Sequence, residues 1–256
     1  MSDYQNIKIA VEGGVGRITL TRPPLNVMNI AMMKEINNVL DSWEGMNDLK
    51  AILFQAEGDH FSAGVDVEEH LGDMVHEMIE VFHGIFRRLH RMMLPTLASV
   101  RGSCLGGGCE LAAFCDLVLA SDTARFGQPE IKVGVFPPIA IYLLPRIMNY
   151  QSAIDIILSG KIIRAKEALE IGMIGKIIPD SELDKVTEET IESYRQDSPV
   201  VLKMTKKAIT RSFNNDFESS LKTIEGIYLQ ELMKTDDAEE GLRAFLEKRK
   251  PVWKNR

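Results

Sequence analysis

Residues 96–116 read TLASVRGSCLGGGCELAAFCD. The opening TLASV has the β-branched and small apolar composition of a buried strand, and a second strand-like run, LVLAS, follows at 117–121. Between them, Gly106, Gly107 and Gly108 stand immediately before an apolar helix. Glycines there let the backbone approach a ligand closely, while the N–H groups of a helix start are free to meet a negative charge. A tight strand-to-helix turn with no ligand is the alternative reading. Glu110 falls in CELAAFC, a turn otherwise apolar or small, which predicts partial burial of its carboxylate. A carboxylate buried without a partner costs roughly several kcal/mol unless its pKa rises, and a raised pKa suits proton transfer near neutrality. A helix-start carboxylate favoured only by the helix dipole is the bland alternative.

Working outward, IKIAVEGGVGRITL near the N-terminus reads as a hairpin turning at Gly13-Gly14. Asn29 precedes Met32, Met33, Ile36, Val39, Leu40 and Trp43, whose spacing marks one face of a helix that Asn29 can cap. AILFQ at 51–55 reads as a buried strand, and a further helix is predicted from about Asp73 to Arg91, ended before Pro95. After Pro138 the pattern becomes almost wholly helical, through AIDIILSG, AKEALEIG and amphipathic charged stretches from Ser181 onward. This order predicts an α/β core over residues 1–195 and a helical region over 196–256.

Glu130 lies in FGQPEIKVGVF, where Pro129 fixes a turn and the apolar residues that follow predict an inward-pointing carboxylate. A solvent-facing loop acid is the alternative. Two carboxylates twenty residues apart can converge on one water, one taking its proton and the other delivering a proton to carbon, although the spacing alone proves nothing. A second glycine-containing loop, HFSAGVDVEEH at 60–70, offers the Val65 N–H as a partner for that of Gly107, the two-donor arrangement that an enolate oxygen needs. An ordinary surface loop is the alternative there.

The 37 Asp and Glu against 30 Lys and Arg give a net charge of -7, which argues against a general nucleic-acid or anionic-membrane surface. Cys104, Cys109 and Cys115 are odd in number and lack metal or disulfide spacing, and the chain opens without a signal-like segment, so a reducing, cytoplasmic setting is expected. His76, His83 and His90 recur every seven residues, a polar helical face rather than a metal site. The HExxH, GxSxG, GxGxxG and P-loop strings are missing, which removes support for the chemistries they carry.

Taken together, HFSAGVDVEEH, TLASV leading into RGSCLGGGCELAAFCD, ARFGQPEIKVGVFP and AFLEKRK resemble the enoyl-CoA hydratase/isomerase, or crotonase, family along nearly the whole chain. The resemblance implies an α/β fold, a spiral of ββα turns with a helical C-terminal region that packs between subunits, in trimers that pair into hexamers. It implies hydration of a conjugated unsaturated acyl-CoA thioester by the pair Glu110 and Glu130, with an oxyanion hole from the N–H groups of Val65 and Gly107. Ala63, Val65, Asp66, Val67 and Glu68 would lie against coenzyme A, and Phe245 and Lys248 against the coenzyme bound to a neighbouring subunit. Lys248, Arg249 and Lys250 would supply a basic spot for its phosphates. No cofactor is implied, because coenzyme A is part of the substrate, and no metal.

Retention of both glutamates favours hydration over isomerisation. One departure stands out: GVFPPIAIYLLPR follows the second glutamate, with Pro138 where family hydratases commonly have a glycine whose N–H helps to position water. Proline has no such donor. Phe136, Ile139 and Tyr142 would reshape the acyl pocket, and the combination resembles the branch of the family that hydrates cyclic dienoyl thioesters. A general enoyl-CoA hydratase, an enoyl-CoA isomerase and an RNA-binding or assembly paralogue are the alternatives.

Overall fold

The alternation of strand-like and helical patterns resolves, in the computed structural model, into two sheets wound by one spiral; residues 4–213 and 215–256 are described. Strands β1 (Ile7–Glu12) and β2 (Val15–Leu20) form the expected antiparallel hairpin. Helix α1 (Ile30–Trp43) starts where Asn29 Oδ1 accepts the Met32 N–H at 2.9 Å. Its Met32, Met33, Ile36, Val39 and Leu40 are fully buried, and each such side chain contributes about 1.5–3 kcal/mol of apolar burial. Strand β3 (Ala51–Ala56), helix α2 (Met74–Met92) and strand β4 (Thr96–Val100) follow. β3 and β4 run parallel in the sheet interior, which is why AILFQ and TLASV are continuous apolar runs rather than alternating ones.

Beyond β4 come β5 (Ser103–Leu105), α3 (Gly107–Phe114), β6 (Leu117–Ser121) and β7 (Arg125–Gly127). Then follow α4 (Pro138–Ile147), α5 (Tyr150–Ser159), β8 (Ile162–Arg164), α6 (Ala165–Glu170) and β9 (Lys176–Ile178). The larger sheet has the order β1-β2-β3-β4-β6-β9 and the smaller β5-β7-β8. Single bridges between Met28 and Val65 and between Ser62 and Cys104 extend the smaller sheet toward the N-terminal turns. Each circuit thus lays one strand in the large sheet and a short one in the small sheet, and the first three close with α1, α2 and α3.

The nearly all-helical reading after Pro138 is corrected by β8 and β9, and β5 and β7 are likewise strands with no separate signal in the sequence. Each spans three residues, too short for alternation to show, and each exists because a neighbouring strand supplies its hydrogen bonds.

Helices α7 (Leu183–Arg195), α8 (Pro199–Ser212), α9 (Phe217–Gly226) and α10 (Asp236–Leu246) complete the chain. Lys206 of α8 is anchored to the core, donating at 2.7 Å to both Leu94 O and Asp116 Oδ2. The buried Asp237 accepts from the Ser198 hydroxyl and from the N–H groups of Lys254 and Asn255, which ties the last residues back to the start of α8. No helix among the described residues is long and apolar enough to cross a membrane.

Candidate functional site

The glycine run is where the two sheets and α3 meet. Gly106 has φ 51° and ψ −130°, a left-handed conformation that side chains disfavour, and a Cβ there would lie 2.7 Å from Glu130 Oε1. A Cβ on Gly107 would lie 2.5 Å from Val65 Cγ2 and 3.1 Å from the Phe82 ring. Glycine at these positions is therefore a packing requirement: it brings the Glu130 carboxylate, the 62–65 segment and α2 against the first turn of α3.

The two expected donors are brought together. Met28 pairs with Val65 through Met28 N to Gly64 O at 2.8 Å and Asp66 N to Met28 O at 2.9 Å. In such a parallel ladder the residue between the bonded neighbours points its own N–H the other way, here toward α3. The Gly107 N lies 3.9 Å from the point that a Gly64 Cβ would occupy. Neither the Val65 nor the Gly107 amide donates to a protein acceptor among the described residues. Two amides without a protein acceptor thus lie on segments in direct contact at the start of α3.

Glu110, one turn into α3, is 2% exposed. Its Oε1 accepts the Ala140 N–H at 2.7 Å from the first turn of α4. Pro137 and Pro138 open that helix without donors of their own, so its first free N–H groups, those of Ile139 and Ala140, are the ones aimed at the carboxylate. Burial pushes Glu110 up to about 8, against the pull of these amides and with a further push from the Glu130 charge. Glu130 sits in the 3-10 turn Pro129–Val133, and burial pushes it up to about 7. The fully buried Gln128 reaches both Glu130 oxygens at 3.3 Å in the amide orientation that satisfies both groups. The Glu130 charge thus acts on Glu110, and desolvation raises both carboxyl groups toward neutrality.

Of the loop residues, Ala63, Val65 and Asp66 are half-buried beside the two amides, and Val67 and Glu68 are exposed at its outer end. Arg22 holds Asp66 at 3.4 Å. Pro138 and Ile139 lie in the α4 turn that faces Glu110, and Ile139 packs on the core. Phe136 and Tyr142 are on the outside, 63% and 57% exposed, with Arg146 stacked 4.0 Å over the Tyr142 ring. Phe245 is 82% exposed at the end of α10, and Lys248 just beyond it is exposed as well. Within the 248–250 cluster, Arg249 is already paired with Glu240 and Glu247, which leaves the two lysines as the cations open to a phosphate.

His76 and His90 are exposed on α2, while His83 is half-buried, its pKa lowered by burial and then by Arg87, and its Nε2 has no partner. All three cysteines are buried and free, with the Cys104 and Cys115 thiols pushed up by burial. Among the described residues no three His, Cys, Asp or Glu side chains are grouped as metal ligands. The reading of the sequence missed three contributors: the Gln128 amide, the Ala140 N–H and the Phe82 ring. Gln128 stands two residues before Glu130 and Phe82 on the apolar stripe of α2, so both were visible as residues but not as neighbours of the site.

The enoyl-CoA hydratase/isomerase family matches residues 10–256. The chain is 38% identical over 247 residues to the cyclohexa-1,5-dienecarbonyl-CoA hydratase of Thauera aromatica, covering 96% of this chain and 95% of that protein. It is 33% identical over 254 residues to the short-chain-enoyl-CoA hydratase of Clostridium acetobutylicum, covering 97% of each. Among solved structures, the enoyl-CoA hydratase from Bacillus anthracis superposes with a TM-score of 0.92 at 27% identity, over 98% of this chain and 100% of that one.

Proposed function

Because the chain belongs to the enoyl-CoA hydratase/isomerase family and is a hydro-lyase of the enoyl-CoA hydratase type, we propose that Glu110 and Glu130 add water to a conjugated cyclic dienoyl-CoA thioester. The substrate of this reading is cyclohexa-1,5-diene-1-carbonyl-CoA and the product 6-hydroxycyclohex-1-ene-1-carbonyl-CoA, a step of anaerobic benzoyl-CoA degradation. The observation that carries it is the buried carboxyl pair set against the paired Val65 and Gly107 amides.

In this mechanism the thioester oxygen sits between the two amides. As water bonds to carbon, negative charge moves onto that oxygen, where the fixed donors act most strongly. The ionised member of the carboxyl pair takes the proton of the water, and the protonated member delivers one to the ring. No cofactor is needed beyond the coenzyme A that the substrate carries. Ala63, Asp66, Val67 and Glu68 flank its pantetheine and nucleotide portion. Phe245 and Lys248, exposed in the single chain, reach the coenzyme of a neighbouring subunit in a trimer or dimer of trimers. A cytoplasmic setting fits this metabolism.

The ring assignment rests on the higher identity to the Thauera protein and on the Pro137-Pro138 start of α4. In this reading Pro138 and Ile139 line the acyl pocket, with Phe136 and Tyr142 at its mouth. Assays of the purified protein with crotonyl-CoA and with cyclohexa-1,5-diene-1-carbonyl-CoA test it: a preference for crotonyl-CoA by orders of magnitude leaves a general short-chain hydratase. Retention of Δ3,Δ2-isomerisation after loss of one glutamate would point to an isomerase. Salt-sensitive RNA retention on a filter, without hydratase activity, would point to an RNA-binding paralogue.

A further inference from the structure

A cleft of about 420 Å³ lies between the C-terminal end of α2 and one face of α8, lined by His90, Arg91, Lys203, Met204, Lys207 and Arg211. Lys203, Lys207 and Arg211 are four residues apart in succession, so their stems rise from one face of α8 at steps of about 6 Å. Arg91 is paired with Glu44 and Asp41, and Lys207 with Glu231. Lys203 and Arg211 make no ion pair within 4.0 Å among the described residues, although the Lys203 charge acts on Glu44. In a chain of net charge -7, this is a local excess of cations. The floor is apolar, from Met204 and from Met93, which ends α2 in a left-handed conformation.

The cleft is distinct from the Val65–Gly107 site. The 68–70 turn meets the N-terminal part of α2 and Gly107 packs on Phe82 near its middle, whereas the cleft opens at His90, about 12 Å further along the helix. A row of cations over an apolar floor matches a ligand with several linked phosphates and a flat apolar body.

We propose that this cleft is a second anion site that binds a nucleoside polyphosphate, with the phosphates along Lys203, Lys207 and Arg211 and the base against Met204 and Met93. The test is isothermal titration of the full-length protein, saturated with coenzyme A, with ATP and separately with inorganic tripolyphosphate. The expected result is one ATP site per chain that coenzyme A does not displace, with tripolyphosphate binding more weakly because it leaves the apolar floor uncovered. Affinity for ATP should fall as salt rises and by about tenfold or more in the double variant Lys203→Glu/Arg211→Glu, with hydratase kcat/KM unchanged. Absence of ATP binding, displacement by coenzyme A, or unchanged affinity in the variant would overturn the proposal. So would dissociation of the assembly by the variant in light scattering, which would mark the cluster as a subunit contact. Because the readout is binding in the presence of coenzyme A, it stands or falls independently of the substrate assignment.

Discussion

The Ala140 N–H donates to Glu110 Oε1 across 2.7 Å, so a carboxylate on α3 is held by the first turn of a helix thirty residues further along the chain. That bond, with the neighbouring Ile139 N–H, fixes the Glu110 carboxylate against the start of α4. With Glu130 against Gly106, desolvation raises both carboxyl groups into the neutral range, Glu110 to about 8 and Glu130 to about 7.

The pH dependence of hydration should be bell-shaped. The active form has one carboxyl protonated and one ionised, so kcat/KM should peak between the two apparent values, about 7 and about 8, and decline on either side. A flat profile from pH about 5 to about 9 would contradict a raised pair.

Stability should show the opposite of the usual carboxylate effect. Burial raises both groups in the folded chain, so the folded state keeps protons that the unfolded state has released. The charge penalty is absent below the unfolded range near 4.5 and grows as pH rises, reaching its full size above about 8. Glu110→Gln, whose amide oxygen can still accept the Ala140 N–H, should therefore be more stable than the parent at pH about 9, by on the order of 2–4 kcal/mol. The gap should close toward pH about 5 in thermal melts. The same variant, and Glu130→Gln, should each lower hydration kcat by about 10²–10⁴.

Gly107→Ala should damage catalysis without unfolding the chain. Its methyl group would meet Val65 Cγ2 at 2.5 Å and push apart the loops that carry the two amides. A loss of about 10²–10³ in kcat is expected, with a smaller change in KM; a variant with parental kcat would remove Gly107 from the oxyanion hole.

Gln128→Leu removes the amide that reaches both Glu130 oxygens while keeping an apolar side chain of similar size in a buried position. Glu130 should then titrate higher, and the acid limb of the kcat/KM profile should move to higher pH. A merely structural Gln128 would leave that limb in place.

Asp237→Ala should destabilise the C-terminal region. The buried carboxylate collects the Ser198 hydroxyl and the Lys254 and Asn255 amides, and its loss leaves those groups unpaired. A decrease of about 2–4 kcal/mol is expected, together with faster proteolysis after α10.

Much of the fold was legible because the long elements bury one continuous face. α1 announced itself through six apolar positions and the Asn29 cap, and β3 and β4 through unbroken apolar runs. The three-residue strands β5, β7, β8 and β9 were not, since their order comes from hydrogen bonds to partners distant in sequence. Glu110 and Glu130 were named from the character of their neighbours, but the desolvation of both, and the charge that Glu130 exerts on Glu110, required their elements to be packed.

The sequence by itself determined that two carboxylates, a glycine run and a second glycine loop lie along an α/β chain, because side-chain type and backbone freedom are local properties. Packing of the spiral is what brings the Val65 and Gly107 segments into contact and leans Glu110 on the start of α4. Directions and distances between segments depend on how the spiral packs. The elevated proton affinity of the pair depends on water being excluded, which no single segment can do alone.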